Sequence, residues 1–595
     1  MNYVIEFIIP LVYYILTNGL SVLIFKKSFG KTLPMTIMIT SFNIFISQIL
    51  FKTFLIGYII NLILPIIFII LLIKNRKNLE QFKKDFFSNG FYTFIIFYIG
   101  IFIFDLNRKF TKWDEYSHWG VMVKEMLRLD KLYSSELSTL MVHKDYPPMI
   151  SIYELFYTKL TFVFKEETLI KTLHLFNASL IIPFIDNNVC KKNIIKSVTA
   201  ILSMFLIILL FDQHDIINTI YIDYTVSLLT AYMLSIVFIE ENNLTKFNII
   251  NLIIGLSFLI LSKQIGLPFC LMIIFLFILK TILKTKPNKS MIINILLVTI
   301  IPIIFFFGWN KYVSKLDIEK QFVISNVIEK RVEPWQKEAL NNYLIAIKNR
   351  SLLTSYIKLS YIFLLIIVLL LLYLVCKKIY NKKEIIILGS TYTLGFIGYF
   401  LVMLGLYTTS FGPYEGVILA SFDRYMPSFV LICISSIYMI YIKNSSLKKT
   451  LIILTILLLI QNPIKLKRLI PKVKKTEEHI FQIQADKIKR NTKANTKVFL
   501  IAQNTSGEYQ FGVKFYLDTQ TTNLNSFNLP TSNIDDYEKY YNENIKEYML
   551  EFDYLYLSKL DESFYQKYHF LFNEPIKENN LYKIDNDKLI LMEEK

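Results

Sequence analysis

Cysteine and charge are both scarce in this sequence. Four cysteines occur among 595 residues, none of them in a CxxC pair, so the sequence predicts neither a disulfide framework nor a zinc site. Only 19% of the residues are charged and 54% are hydrophobic, whereas a soluble chain would carry charge on about a quarter of its residues. The composition therefore excludes disordered, collagen-like and disulfide-scaffold proteins.

Several motifs of soluble enzymes are absent as well. The sequence contains no P-loop, no GxSxG and no HExxH motif, so it gives no support to an ATP-driven enzyme, a serine hydrolase or a zincin. The first apolar run begins MNYVIEF, with no Lys or Arg before it, whereas a signal peptide starts with a basic stretch. We therefore expect this run to be a retained membrane span.

Apolar runs are abundant, and many of them reach the roughly twenty residues that a membrane-spanning helix needs. They recur from Tyr3 to about Ile464 and predict an α-helical polytopic membrane protein with about fourteen spanning helices. The predicted spans are residues 5–25, 33–50, 54–73, 89–105, 169–187, 196–211, 217–239, 246–261, 265–282, 290–308, 355–376, 384–407, 424–441 and 449–464.

The net charge of +18 would suggest nucleic-acid binding in a soluble chain, but here it has another explanation. Most Lys and Arg residues lie in short loops between apolar runs, which is the pattern that orients helices in membranes. If the basic clusters face the cytoplasm, the spans between them come in pairs and both termini lie outside. The clusters are residues 26–31, 74–84, 191–196, 280–289, 377–383 and 443–449.

This topology divides the chain into a membrane domain, 1–468, and a C-terminal domain, 469–595. If residues 146–164 crossed the membrane, the basic cluster at 191–196 would lie outside. We therefore predict that they form a helix that lies in the outer interface or is partly re-entrant. Outer loops are predicted at 106–145, 309–354 and 408–423. The C-terminal domain changes to a Lys-, Asn- and Glu-rich composition. We predict an extracytoplasmic α/β domain, with strands at 497–503 and 552–558 and a helix at 535–548.

The first outer loop holds two of the four Trp and two of the six His residues, in KWDEYSHWGVMVKEMLRLDKLY (112–133) and HKDYPP (143–148). If 113–129 is helical, Asp114 and His118 share one face, and so do Glu115 and Trp119. Such an acidic pair could deprotonate a hydroxyl or hold a divalent cation. The alternative is a capping Asp among interfacial aromatic anchors. Asp145 would place a further acidic side chain on the same side of the membrane as Asp114.

Three more ionisable residues stand near predicted outer helix ends. Asp223 lies inside the apolar run TIYIDYTVSLL, where an uncompensated charge is costly. Lys263 lies between two spans in LILSKQIGLPF, and Arg424 opens a span in ASFDRYMPSFVL. Snorkelling explains each cation alone as well as function does. Together, however, they place cations and carboxylates on one side of the membrane.

These motifs and their order resemble the GT-C superfamily of integral-membrane glycosyltransferases, which includes protein O-mannosyltransferases and aminoarabinose transferases. The resemblance covers roughly residues 85–465. The chain departs from many relatives, which place the motif loop after their first span, in having three additional spans before it. It implies that Asp114, with Glu115 beside it, activates the acceptor hydroxyl as general base. It also implies substrate contacts from Tyr146, Asp223, Lys263, Arg424 and Tyr425. From their positions in the motif loop we add His118, His143 and Asp145 to these predicted substrate-binding residues.

The sequence therefore predicts an inverting transferase at the outer face of a cell membrane. The donor would be a polyprenyl-phosphate sugar, and the acceptor an envelope glycan, lipid or protein. The scheme needs no nucleic acid and no nucleotide; a divalent cation is possible. One alternative is a polysaccharide polymerase or ligase that uses lipid-pyrophosphate glycans, for which the 309–354 loop offers Arg331 and Arg350. Another is a lipid flippase or transporter, which would bury ionisable residues in mid-span.

Overall fold

The protein is mostly helical, with 73% of its residues in helices in the computed structural model. The structure describes residues 3–74, 79–187, 189–241, 244–284, 287–318, 333–349, 360–469, 477–505, 507–523, 549–585 and 588–592. Arg331, Arg350 and the predicted helix 535–548 lie outside the described residues.

The chain forms two compact units that do not follow a single division of the sequence. The first unit comprises Met1–Leu106, Asp130–Ser134 and Asp145–Pro471. The second comprises Asn107–Leu129, Ser135–Lys144 and Lys472–Lys595. Most of the predicted first outer loop therefore shares a compact unit with the C-terminal segment.

The helices are numbered in chain order and most of them belong to the first unit; α6 and α21–α23 belong to the second. They are α1 (Tyr3–Phe25), α2 (Phe29–Phe51), α3 (Leu55–Lys74), α4 (Leu79–Phe86), α5 (Asn89–Phe104), α6 (Gly120–Leu129), α7 (Met149–Thr161), α8 (Glu166–Ile181), α9 (Lys191–Phe211), α10 (Asp223–Ile239), α11 (Lys246–Ile260), α12 (Gly266–Lys284), α13 (Lys289–Ser314), α14 (Pro334–Asn349), α15 (Tyr361–Cys376), α16 (Lys382–Gly405), α17 (Pro413–Ile418), α18 (Phe422–Asn444), α19 (Leu447–Ile460), α20 (Pro463–Arg468), α21 (Glu477–Asn491), α22 (Gly507–Tyr516) and α23 (Glu562–Tyr568).

Within the described residues, eight helices are long and apolar enough to cross a membrane, and the bent pair α4–α5 would make a ninth. The eight are α1, α2, α3, α9, α12, α13, α16 extended to Ser410, and α18. The prediction of a membrane protein is confirmed at this level. Each predicted span falls on a helix, but α8 and α19 are not among the eight, and α10, α11 and α15 are shorter apolar helices. The count of fourteen therefore stays a prediction, as does the side on which each loop lies.

The helices of the first unit differ sharply in how much of their apolar surface is covered. α3 and α13 each bury only 17% of their apolar window, whereas α18 buries 83%. Every residue of α10 is buried, and this helix packs against α8, α12 and α18. The outer helices thus present apolar faces that lipid can solvate, and α10 forms the centre that positions the site described below.

The predicted helix at 146–164 is α7, which begins after Pro147 and Pro148 and ends where Phe162 turns with a φ of 60°. Pro148 is the N-cap residue and Pro147 precedes it, so their missing N–H groups cost the helix no hydrogen bond. All α7 residues except Lys159 are buried, against α1, α2 and α8. Its placement relative to the bilayer surface stays a prediction.

The second unit contains a five-stranded sheet with the order β2-β1-β3-β4-β5. The strands are β1 (Lys497–Ala502), β2 (Thr521–Thr522), β3 (Tyr554–Lys559), β4 (Asn580–Asp585) and β5 (Lys588–Leu591). β1 pairs in parallel with β2 and β3, and the remaining pairs are antiparallel. β1 and β3 confirm the two predicted strands, and their apolar runs supply the core of the sheet. The extracytoplasmic location of this unit stays a prediction.

Candidate active site

A cavity of about 590 Å³ lies within the first unit, among α10, α12, α13, α16 and α18. Its lining is apolar apart from a few ionisable and polar groups, as is usual for small-molecule sites. The polar and aromatic residues that line it include Asp145, Tyr146, Asp223, Lys263, Gln264, Trp309, Asn310, Tyr399, Tyr425 and Ser428. The apolar lining residues include Leu267, Leu271, Phe306, Val402 and Met403.

Asp223 is the centre of a charged cluster at this cavity. Its Oδ1 lies 2.6 Å from Nζ of Lys263, and its Oδ2 lies 3.8 Å from Nε of Arg424. The three side chains are 7%, 16% and 11% exposed, respectively. One carboxylate thus lies beside two largely buried cations, and cations of this kind form strong, charge-assisted hydrogen bonds with anionic groups.

Each member of the cluster is held by its local chain geometry. Asp223 is the first residue of α10. Lys263 lies in the short turn between α11 and α12. This turn is so tight that a Cβ at Gly266 would overlap the carbonyl oxygen of Leu259. Arg424 lies in the first turn of α18, and the N-cap residue of that helix, Ser421, has a φ of 57°. A positive φ in a non-glycine residue costs roughly 1–3 kcal/mol and is frequent at functional sites.

Tyrosine rings enclose the arginine of the cluster. The Arg424 guanidinium carbon lies 4.9 Å from the ring centroid of Tyr221 and 4.8 Å from that of Tyr425. Nη2 of Arg424 also donates to the Tyr425 hydroxyl at 2.7 Å, and Nζ of Lys263 lies 5.3 Å from the same ring centroid. The hydroxyl of Tyr399 donates to the Tyr425 carbonyl. These contacts fix the plane of the guanidinium, which a lysine could not reproduce.

The Asp145–Tyr146 segment is fastened to the same cavity by hydrogen bonds from distant residues. Nε2 of Gln264 donates to Oδ2 of Asp145 at 2.9 Å, and Nε1 of Trp309 donates to the Asp145 carbonyl at 3.1 Å. The hydroxyl of Tyr133 donates to the Tyr146 carbonyl at 2.6 Å. Asp145 is 4% exposed, so the segment brings a second buried carboxyl group to the cavity wall.

The remaining predicted residues belong to the second unit. Glu115 is fully buried, and its Oε2 accepts hydrogen bonds from the backbone N–H groups of Thr111 and Lys112 at 2.7 and 2.9 Å. Asp114 is half-buried. The predicted helix over 113–129 is a π-helical turn at Glu115–Trp119 followed by α6. Because a π-turn closes over five residues, the face shared by Asp114 and His118 in an α-helix is altered there.

The two histidines of the motif loop lie together. The ring centroids of His118 and His143 are 4.4 Å apart, and Nδ1 of His118 lies 2.8 Å from the Ser117 hydroxyl oxygen. His143 has a φ of 60°. Across the described ranges, no group of three His, Cys, Asp or Glu residues is close enough to hold a metal ion, and the possible divalent cation stays a prediction.

The structure thus gathers Asp145, Tyr146, Asp223, Lys263 and Tyr425 around one cavity, with Arg424 joined to it through Asp223. Asp114, Glu115, His118 and His143 lie in the other unit. Sequence reasoning did not single out three lining residues, Gln264, Trp309 and Tyr399. The sequence did offer a reason to include Gln264 among the site residues, because it directly follows Lys263 in SKQIGL.

Comparison with known proteins adds no family to this description. No protein-family model, no curated protein and no solved structure matches the chain.

Proposed function

We propose that this protein is an inverting glycosyltransferase that moves a sugar from a polyprenyl-phosphate carrier to an envelope acceptor. The observation that carries the proposal is the ion pair of Asp223 and Lys263 at a largely apolar cavity, with Arg424 beside Asp223, in a helical membrane protein. A polyprenyl-phosphate sugar has the same two parts, an anionic phosphate and a long hydrocarbon. The resemblance of the sequence motifs to the GT-C superfamily points to the same chemistry.

In this proposal the two cations hold the phosphate of the donor. The contact between Nε of Arg424 and the Asp223 carboxylate is 3.8 Å, which is longer than a hydrogen bond. At this separation the Asp223 carboxylate attracts the guanidinium at Nε without a hydrogen bond between these two atoms. A phosphate oxygen would form shorter, charge-assisted bonds with Arg424 and Lys263, and these would strengthen as negative charge develops on the leaving group.

The reaction is a single displacement at the anomeric carbon. The acceptor oxygen attacks from the face opposite the phosphate, the bond from the anomeric carbon to the phosphate oxygen breaks, and its electron pair leaves with the polyprenyl phosphate. A carboxylate takes the acceptor proton, and the anomeric configuration inverts. Asp114, with Glu115 as neighbour, is the proposed base. Asp145 is the alternative base because it lines the cavity itself.

The apolar walls support a hydrocarbon-bearing donor. Leu267 and Leu271 of α12, Phe306 of α13, and Val402 and Met403 of α16 line the cavity, and Leu271 is 48% exposed. An apolar site with few polar groups would accept a sugar alone poorly, because the sugar hydroxyls would lose their hydrogen bonds to water. A carrier lipid offsets that loss by burying its own apolar surface.

A lipid flippase or transporter is the second candidate, because α8 carries buried ionisable pairs. Nζ of Lys171 lies 2.9 Å from Glu167, and Nδ1 of His174 lies 2.6 Å from Asp105, with all four side chains at most 5% exposed. Ionisable pairs inside a helical membrane domain often mark ion or substrate pathways. This function would need no leaving group and no base.

One experiment separates the two functions. The full chain in proteoliposomes receives polyprenyl-phosphate hexose with a labelled sugar, together with cell-envelope acceptors, and both label transfer and lipid translocation are measured. The transferase predicts labelled acceptor with the wild type and a strong loss with Arg424→Ala. Arg490→Ala, at an exposed arginine of α21, is the matched control. Translocation without transfer by the wild type would replace the proposal with the flippase.

A further inference from the structure

A second groove, of about 610 Å³, lies on the first unit, and none of its lining residues belongs to the candidate active site. It is formed where α9 and α19 pack side by side. Its lining consists of Lys192, Ser446, Leu447, Lys448, Leu451, Ile452, Thr455 and Ile456. No acidic residue is among these lining residues, so the groove is positively charged at any pH at which lysine is protonated.

The chemistry of the groove changes along its length. Lys192 is at the start of α9, and Ser446 and Lys448 are at the start of α19, so the cations and the hydroxyl lie at one end. Gln461, beyond the far end of α19, donates to the Leu206 carbonyl on α9, so the two helices run in the same direction. The part that leads away from the lysines is lined by aliphatic and methyl-bearing side chains.

These apolar side chains are open to the surroundings. Leu451, Ile452 and Ile456 are 42%, 49% and 51% exposed, which is unfavourable in water but not in hydrocarbon. From Leu447 to Ile456, α19 rises about 14 Å at 1.5 Å per residue. This length is close to half of the roughly 30 Å hydrocarbon thickness of a bilayer. The groove thus offers a cationic end and an apolar track one leaflet long.

We infer that this groove binds an anionic diacyl phospholipid of the bilayer, with the headgroup phosphate between Lys192 and Lys448 and an acyl chain along α19. The groove has cations at one end and aliphatic side chains beyond them. Such a lipid has the complementary order, an anionic headgroup followed by acyl chains. Basic pockets between membrane helices bind anionic headgroups through the same complementarity. The inference is independent of the proposed transferase, because it uses none of the residues of the candidate active site.

The test measures which lipid is held and where. The full chain is reconstituted in nanodiscs of phosphatidylcholine that contain photoactivatable phosphatidylglycerol, and crosslinked peptides are identified by mass spectrometry. The inference predicts crosslinks within 446–456 for phosphatidylglycerol. It also predicts that Lys192→Gln with Lys448→Gln lowers the yield about tenfold or more. Lys382→Gln with Lys383→Gln, which changes two exposed lysines of α16, should leave the yield unchanged.

A variant that keeps the charge separates a lipid from other occupants. Thr455→Trp fills the apolar track while both lysines remain, so it should abolish the acyl-chain crosslinks. Equal crosslinking of phosphatidylcholine and phosphatidylglycerol by the wild type would overturn the inference, and so would an unchanged yield in the double lysine variant. Competition by inorganic phosphate with no loss in Thr455→Trp would assign the site to a free anion, and crosslinks to another copy of the chain would assign it to self-association. None of these results would affect the transferase proposal.

Discussion

The ammonium group of Lys263 lies 2.6 Å from the carboxylate of Asp223, although Asp223 begins α10 and Lys263 lies in the turn between α11 and α12. Asp223 also faces Arg424, so one carboxylate lies between two cations. Buried charges are tolerated in a membrane protein when they are paired. This triad is therefore stable as a unit, and the loss of any one member changes the environment of the other two.

Asp223→Asn should destabilise the protein, because it leaves Lys263 and Arg424 close together without the compensating charge. Breaking one partner of a buried ion pair costs about 3–5 kcal/mol. The double variant Asp223→Asn with Lys263→Met should recover part of that loss, since it removes one of the two repelling cations. The unfolding temperatures of the wild type, the two single variants and the double variant measure the coupling. Strictly additive changes would show that the two residues do not interact.

Arg424→Lys should reduce transfer although it keeps the charge. The lysine loses the 2.7 Å hydrogen bond to Tyr425 and the contact with the rings of Tyr221 and Tyr425. Hydrogen bonds to charged groups contribute about 1.5–3 kcal/mol, so kcat/KM for the polyprenyl-phosphate donor should fall by about 10- to 100-fold. Arg490→Lys, at an exposed site, should retain wild-type kcat/KM. Equal kcat/KM in both variants would remove Arg424 from donor binding.

Asp114→Asn should abolish the general-base contribution and lower kcat by about 10² to 10⁴. Asp145→Asn keeps an amide oxygen that can accept from Gln264, so it should preserve the hydrogen bond that holds this segment and have the smaller effect. Asp518→Asn, at an exposed site of the second unit, is the control. If Asp145→Asn shows the large loss and Asp114→Asn does not, the base is Asp145.

The stability of the second unit should rise between about pH 7 and pH 10. Burial lowers the pKa of Lys514 to about 7, and its Nζ donates to the Thr139 carbonyl at 2.7 Å. Burial likewise lowers the pKa of Lys124 to about 8. The ordinary lysine value is about 10.4, so the unfolded chain binds more protons in this range and rising pH favours the folded state.

Calorimetric unfolding of the full chain at several pH values checks this dependence. Lys514→Met removes one of the two titrating groups, so the slope of the unfolding temperature of the second unit against pH should become smaller. A control at an exposed lysine just after α21, Lys493→Met, should keep the wild-type slope. An identical slope in Lys514→Met would contradict the assignment.

The sequence predicted the helices and the two main strands because their signals are local. Apolar runs set the first unit, and KVFLIA and YLYLSK set β1 and β3. The turn at Glu115–Trp119 was predicted as ordinary helix, because the apolar period does not distinguish a π-turn from an α-turn. The division into two units could not be predicted from the sequence either. Residues 107–129 and 135–144 join the C-terminal segment only through contacts between distant parts of the chain.

Some of the residues around the cavity could be predicted from the sequence and others could not. Asp223, Lys263 and Arg424 stood out because ionisable groups are rare beside apolar runs. Gln264 and Trp309 did not, because their roles depend on hydrogen bonds to Asp145 across 119 and 164 residues. Only the folded chain shows that these neutral side chains hold the acidic segment in place.

The proposed donor site is tested most directly by a structure of the protein with an uncleavable polyprenyl-phosphonate sugar, determined by electron cryomicroscopy in a lipid nanodisc. We expect the phosphonate within hydrogen-bond distance of Nζ of Lys263 and the guanidinium of Arg424, with the isoprenoid against Leu267 and Leu271. A phosphonate bound elsewhere, with the ion pair between Lys263 and Asp223 undisturbed and the cavity empty of analogue, would contradict the proposed donor site.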